Sequence, residues 1–495
     1  MNARRLLIVL LVAAALWMAW LAVYQVDDAF IVYRYARSLA GGDGFVFNPG
    51  ERVEGVTCFL WTLALAPFAA LGWPLPRVGP VLTALAGLVC LALIARRHAE
   101  SEHRDRIAYR DLVAPALLAA TPAFAYWSVG ALETVPFALL LTAAARDHAR
   151  EREGGAGLRS AVWLGIASLV RPETPLVAAA LAVDRLATQG LASTARWLGV
   201  IAAIFGPFLI FRRLYFDSWL PNTYYAKTGA PLPVLVVQGW RYLCGCFASL
   251  VPAFGSASPG IVLVGGLTLA VLLAFAWRRG ALRSEAIVVA AVGAAAVLEG
   301  GDWMVLYRFW VPALPCLAII GAAALLRLHE RSGTERVAAL ALAAAVLASG
   351  VTVAIEERNG GQGLRVNAEG YRHAHREIAR YLNEHAERGD AVALMDVGMI
   401  GWYADRLRVI DITGLTDRDI AHAPGGFLDK QFPVPELIAK NVRFIVLVEG
   451  FPADDRIYQT AEFRARYKAL FKLDHRFNWT PPSSYRLFVF ERTAL

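Results

Sequence analysis

The sequence predicts a polytopic α-helical membrane protein that ends in a C-terminal extracytoplasmic α/β domain. Three observations predict it. Of 495 residues, 57% are hydrophobic and only 18% charged, and mean hydropathy is +0.46, well off the balance of a soluble protein. The Arg residues cluster between long apolar runs, as the positive-inside rule requires of cytoplasmic loops. From Glu356 onward apolar density falls and charge rises, which marks a water-soluble domain of about 140 residues. The expected boundaries are 1–355 for the membrane domain, with an acidic first outer loop at 25–56, and 356–495 for the soluble domain.

The same observations exclude other classes. A net charge of +8 would suggest nucleic acid in a soluble domain, but here it lies between apolar runs, so nucleic-acid binding is discounted. Five cysteines, Cys58, Cys90, Cys244, Cys246 and Cys316, are odd in number and mostly sit in apolar runs, so they suggest no disulfide framework. Cys244-Gly245-Cys246 is too thin for a metal site, and no metal ligands are expected.

Arg4 and Arg5 precede an apolar run, Leu6 to Tyr24, long enough to cross about 30 Å of hydrocarbon. It reads as an uncleaved signal anchor with a cytoplasmic N-terminus, which puts the next loop outside. In that loop Asp27 and Asp28 open an amphipathic helix whose apolar stripe is Ala29, Val32, Tyr33, Ala36 and Ala40. Arg34 and Arg37 lie off the stripe. Gly41 and Gly42 end the helix, and Asn48-Pro49-Gly50-Glu51 is a turn. An Asp at a helix start caps free N–H groups, but two adjacent carboxylates exceed what one cap requires.

Val56 to Leu71 spans only about 24 Å as a helix and is expected to lie in the interface. Val78 to Ala95 then returns to the basic loop with Arg96, Arg97, Arg104, Arg106 and Arg110. Leu112 to Ser128 crosses outward and Leu132 to Ala145 inward, so Glu133 stands at an outer reversal, bonding the turn or lining a cavity. Ala161 to Val170 and Pro175 to Val183 are paired short helices around Arg171-Pro172-Glu173, read either as an ion pair or as substrate contacts. Trp197 to Phe211 delivers Leu220-Pro-Asn-Thr-Tyr-Tyr-Ala-Lys227 to the outer face, as interfacial anchors or as sugar and phosphate contacts.

Leu232 to Val251 reads as an outer-surface segment. Pro259 to Trp277, Ala286 to Leu298, Phe309 to Leu326 and Val337 to Ile355 complete about eleven spans. They place Glu299, Asp302, Trp303 and Arg308 outside. In the soluble domain Ala391 to Met395, Arg408 to Ile410, Phe444 to Val448 and Arg486 to Phe490 read as strands. Asp396 to Gly401 is a glycine turn after a strand, and a plain βα turn outweighs phosphate binding there.

The stretch DDAFIVYRYARSLAGGDGFVFNPGERVEG and the apolar FLW that follows resemble the mycobacterial terminal arabinofuranosyltransferases and their uncharacterised bacterial relatives. Further pieces match in order: ALET at Ala131 to Thr134, RPE at Arg171 to Glu173, LPNTYYAK at Leu220 to Lys227, GGDWMVLYRF at Gly300 to Phe309 and IDITGLTD at Ile410 to Asp417. Val56-Thr57-Cys58 departs from the pattern, which has an aromatic residue and no Cys. The resemblance implies a GT-C class membrane glycosyltransferase: an inverting hexosyl- or pentosyltransferase moving a sugar such as arabinofuranose from a polyprenyl-phosphate donor to an envelope glycan or lipid. Its place would be the bacterial inner membrane, multi-pass, with the C-terminal domain periplasmic. No cofactor is expected beyond the lipid-linked donor, with a divalent cation left open.

Such chemistry needs a carboxylate to take the acceptor's proton, cations for the leaving phosphate and a greasy groove for the lipid. Asp27 is the expected base, with Asp28 as cap or second sugar contact. The candidate substrate contacts in the matched stretches are Arg34, Glu51, Glu54, Glu133, Arg171, Glu173, Asn222, Tyr225, Lys227, Asp302, Trp303 and Arg308. A transporter or flippase would place ionisable groups at mid-membrane on several helices, whereas most here sit at outer helix ends. A non-catalytic relative assisting surface-structure assembly is the third reading, against which the intact acidic pair counts.

Overall fold

The computed structural model describes residues 2–22, 25–154, 157–228, 231–249, 259–302, 304–330, 333, 364–475 and 485–493. The chain groups into two compact units. The first holds Met1–Ala22, Gly79–Phe208 and Pro231–Asn359; the second holds Val23–Val78, Leu209–Ala230 and Gly360–Leu495. The first loop and residues 209–230, expected within the membrane domain, therefore group with the C-terminal residues. The expected boundary at 355/356 and the run Val337 to Ile355 lie outside the described residues.

Among the described residues four helices are long and apolar enough to cross a membrane: Ala3–Leu21, Leu75–Ser101, Leu191–Phe216 and Arg308–His329. Phe59–Ala70 and Gly266–Arg278 are shorter apolar helices. This is an integral membrane protein. Ile8, Val12 and Leu16 repeat every four residues along the first helix and are exposed, the surface that lipid tails cover. Phe59–Ala70 has 12 residues, too few for a bilayer.

Two segments differ in detail from expectation. Leu112 to Ser128 is not one helix; it breaks between Val113–Ala120 and Pro122–Trp127, with Thr121 extended. Proline disfavours helical backbone in the residue before it. Leu232 to Val251, read as an outer-surface segment, holds a continuous helix, Leu232–Ser249, packed on the helix Arg283–Leu298. Gly239 makes this possible: a Cβ there would stand 2.3 Å from the Val297 carbonyl oxygen.

Charge ties the basic loops of the first unit together. Glu100 accepts Arg146 and Arg150 at 2.7 Å each, Arg97 meets Glu285, and Glu151 meets Arg185 at 2.7 Å. Asp184 takes Arg283 at 2.8 Å and Arg152 at 3.0 Å. Basic residues that charge patterning assigns to one side of the membrane thus share partners.

The second unit is built on a five-stranded mixed sheet: β1 (Ala391–Leu394), β2 (Arg408–Asp411), β3 (Val442–Val448), β4 (Tyr467–His475) and β5 (Tyr485–Arg492), in the order β2-β1-β3-β5-β4. β1 is parallel to β2 and β3, while β5 runs antiparallel to β3 and β4. Ala393, Ile410, Ile445, Leu437, Ile457 and Phe490 belong to its buried core. The chain leaves β1 for β2 on one side and crosses back to β3 on the other. The reversal falls at the carboxyl ends of β1 and β3, the position where such folds present polar groups.

Candidate active site

The acidic pair opens the helix Asp27–Gly41, which packs on the short helix Val397–Tyr403 that follows β1. Asp27 Oδ2 accepts the Gly398 N–H and Oδ1 accepts the Met399 N–H, both at 2.7 Å. The carboxylate therefore caps a helix other than its own, satisfying amides that lack partners in a first turn. Gly398 is obligatory, because a Cβ there would lie 2.0 Å from the Asp27 carbonyl oxygen. The Asp396-to-Gly401 turn is thus a βα turn whose glycine admits the first-loop helix.

Behind it sits a cluster of titratable groups. Asp396 Oδ2 lies 2.9 Å from His375 Nε2 and accepts the Tyr485 hydroxyl at 2.8 Å. His375 Nδ1 donates to the Tyr371 carbonyl at 2.8 Å. Burial works against the imidazolium of His375, but its bond to Asp396 and that carboxylate's charge outweigh burial and raise its pKa. Burial first, and the Asp396 charge second, push Asp27 up to about 7. Asp454 beside β3 accepts the Val448 N–H at 2.8 Å, and burial pushes it up to about 8.

Several expected contacts are structural clips. Arg34 is 3% exposed and donates to the carbonyls of Phe47 at 2.8 Å, Leu407 at 3.0 Å and Gly401, and to Asn48 Oδ1 at 3.2 Å. Its fork is consumed within the fold. Glu51 pairs with Arg408 at 2.6 Å and accepts Asn48 at 2.9 Å, so it too is engaged. Asn222 Nδ2 reaches the carbonyls of Gly414 at 2.7 Å and Leu415 at 3.0 Å, and its N–H donates to the Glu54 carbonyl at 3.0 Å. The IDITGLTD stretch is closed on itself: Asp411 accepts the Thr413 N–H at 2.9 Å and the Thr416 N–H at 2.8 Å. Three matched stretches therefore meet at Asn222, through its side-chain amide and its backbone N–H.

Glu54, Asn222 and Tyr225 line one cleft. Glu54 is held by Arg212 in two bonds, 2.6 and 3.0 Å. Lys227 stands 5.4 Å from the Phe427 ring centroid.

In the first unit, Arg171 lies between Glu133 at 2.8 Å and Glu173 at 2.5 Å. It pairs with Glu173 as read from the sequence, and also with Glu133 from a different loop. Arg308 meets Asp302 at 2.7 Å. Both guanidinium carbons stand 5.1 Å from the Phe309 ring centroid, so one ring carries two cations. The backbone leading to Arg308 is strained: Leu306 and Tyr307 hold φ of 55° and 52°, a conformation costing about 1–3 kcal/mol per residue that recurs at functional sites. Trp303 lies outside the described residues.

Sequence reasoning missed Asp396, His375, Tyr485, Arg212 and the Gly398 and Met399 amides. Only the glycine turn at 396–401 gives any signal of them, and spacing alone does not pair it with Asp27. Among the described residues no three His, Cys, Asp or Glu side chains converge as a metal ion requires.

A family model described as "Domain of unknown function (DUF8728)" matches residues 362–490. The chain is similar to the terminal beta-(1->2)-arabinofuranosyltransferase of Mycobacterium tuberculosis, 31% identical over 230 residues, 43% of this chain and 36% of that one. The protein of the same name from Corynebacterium glutamicum is 28% identical over 259 residues, 46% of this chain and 36% of that one. The chain thus matches just over a third of the length of these curated relatives.

Among solved structures, ArnT from Cupriavidus metallidurans bound to undecaprenyl phosphate has a TM-score of 0.55 at 14% identity, covering 97% of each chain. The archaeal oligosaccharyltransferase AglB from Archaeoglobus fulgidus, in complex with an inhibitory peptide and a dolichol-phosphate, has a TM-score of 0.52 at 13% identity, over 90% of this chain and 69% of that one. The fold is that of these GT-C membrane proteins, and the resemblance to the terminal arabinofuranosyltransferases is borne out.

Proposed function

We propose that the protein transfers a sugar, arabinofuranose in the first instance, from a polyprenyl-phosphate donor to an extracytoplasmic glycan or lipid acceptor, with inversion at the anomeric carbon. The observation that carries this is the acidic pair at the head of the first-loop helix, anchored by Asp27 to the Val397–Tyr403 helix, in a chain with the fold of ArnT. Both Asp27 oxygens are taken by amides, so we give Asp27 a positioning role and assign the proton to Asp28. This reverses the division of labour expected from the sequence. Asp28, when ionised, accepts the proton of the attacking hydroxyl as the glycosyl–phosphate bond breaks.

The leaving phosphate carries growing negative charge. Arg308, with Arg171 in support, is assigned to hold it; both guanidiniums stand on Phe309, and the arginine fork suits phosphate oxygens. We place the C-terminal residues 356–495 and the polar motifs on the periplasmic side of the inner membrane, on the strength of the Arg distribution.

The test is reconstitution of the purified full chain in lipid with a polyprenyl-phosphoryl arabinofuranose and a synthetic arabinan acceptor. Transfer with inverted anomeric configuration, read by NMR of the product, is the expected result. Retained configuration would rule out direct displacement, and no product from any polyprenyl-phosphate sugar would sink the reading.

A further inference from the structure

Within the second unit, loop 52–54, the segment 216–225 and the helix Arg418–His422 enclose a half-open cleft with about 260 Å³ of empty space, part of it solvent. Arg52, Ser218, Tyr225, Arg418 and His422 line it. Tyr225 and His422 are stacked, with ring centroids 4.3 Å apart and planes inclined by 26°. The platform is fixed from behind. Lys430, 2% exposed, donates to the carbonyls of Tyr225 and Ala421 at 2.9 Å each and of Ala423 at 3.2 Å. His422 Nδ1 donates to the Arg418 carbonyl at 2.8 Å, which sets the ring and leaves Nε2 without a hydrogen bond among the described residues.

The cleft carries excess positive charge. Glu54 is answered by Arg212, so that pair is neutral. Asp217 is shared by Arg213 and Arg418. Arg52 stands 4.8 Å from the Tyr215 ring centroid and forms no ion pair among the described residues. The two guanidiniums that line the cleft, those of Arg52 and Arg418, thus have between them only the carboxylate of Asp217, which Arg418 shares with Arg213.

We propose that this cleft is an acceptor subsite for a sugar residue that carries a carboxylate, a hexuronic acid being the simplest case. The ring lies on the Tyr225–His422 platform, and Arg52 and Arg418 take the carboxylate by charge-assisted bonds. An aromatic face accepts the apolar C–H face of a sugar, and the planar fork of Arg matches a carboxylate. The cleft is open to solvent, so the sugar ring lies across its mouth. The subsite's place in a reaction rests on the glycosyl-transfer reading; its ligand chemistry does not.

The experiment is direct binding to the full-length chain in lipid nanodiscs, with methyl glucuronoside, methyl glucoside and farnesyl phosphate as probes. Glucuronoside should bind at least tenfold more tightly than glucoside. Arg52→Gln should remove that preference without lowering the melting temperature, since Arg52 is exposed. Equal affinity for the two sugars, or a preference that survives Arg52→Gln, overturns the proposal. Binding of farnesyl phosphate alone, lost in Arg52→Gln, would mean that the cleft holds donor phosphate, and overturns it too. Should the wild-type chain transfer sugar to no acceptor yet keep an Arg52-dependent uronide preference, the transfer reading fails and the sugar subsite stands.

Discussion

Asp27 and Met399, 372 positions apart in the chain, meet through a 2.7 Å hydrogen bond from the Met399 amide to Asp27 Oδ1. With the Gly398 amide on the other oxygen, the bond fixes the head of the first-loop helix against the sheet. Replacing Asp27 by Asn turns one oxygen into an NH2 group that faces an N–H donor. The expected cost is about 1–3 kcal/mol, read as a lower denaturation midpoint of the purified protein. Gly398→Ala should cost at least as much, since its Cβ would lie 2.0 Å from the Asp27 carbonyl oxygen. Wild-type midpoints in both variants would mean that this docking contributes nothing.

Stability of the second unit should depend on pH through Asp454. Its carboxyl is raised from an ordinary value near 3.8 to about 8, so between those values the folded form binds more protons than the unfolded one. Its contribution is therefore fully present below about pH 4 and is lost as pH rises towards 8. Asp454→Asn mimics the neutral carboxyl and should flatten the fall, making the variant more stable than wild type at pH 8. Chemical denaturation at pH 5 and pH 8 reads this. An unchanged pH slope would show that Asp454 ionises freely in the fold.

Arg308 is assigned to the donor phosphate. Arg308→Lys keeps a charge for Asp302 but loses the fork and the stacking on Phe309. The KM for the donor should rise roughly tenfold, with a melting temperature close to wild type. Unaltered donor kinetics would leave Arg308 and Asp302 as a purely structural pair.

Sidedness is testable with single cysteines, because all five native ones are buried. In a background lacking them, Cys at the exposed Asp419 should react with an impermeant maleimide in intact cells, and Cys at the exposed Arg106 should not. The reverse pattern would invert the topology. Asn48, in the matched first loop, is a poor probe position because it is 2% exposed.

Much of this architecture is legible in the sequence where one physical signal dominates. The helix 27–41 follows from its apolar stripe and its glycine end, with Gly42 at φ 89°. β1, β2 and β3 follow from short apolar runs. β4 is not legible: YKALFKLDH carries Lys468, Lys472 and Asp474, because it lies at the sheet's edge and is largely solvated. At the site, the residue types are legible and their partners are not. Nothing local to Arg34 says that it is spent on carbonyls of Gly401 and Leu407, and nothing local to Glu54 names Arg212. Pairing across hundreds of residues is set by packing, which composition and periodicity do not encode.

The most direct test compares single-turnover transfer from a polyprenyl-phosphate sugar by wild type, Asp28→Asn and Asp27→Asn, with melting temperatures measured alongside. A general base contributes roughly 10²–10⁴-fold. Asp28→Asn should lose transfer by that order at wild-type stability and donor affinity, while Asp27→Asn should lose stability along with rate. Transfer at the wild-type rate by Asp28→Asn would contradict the role given to Asp28.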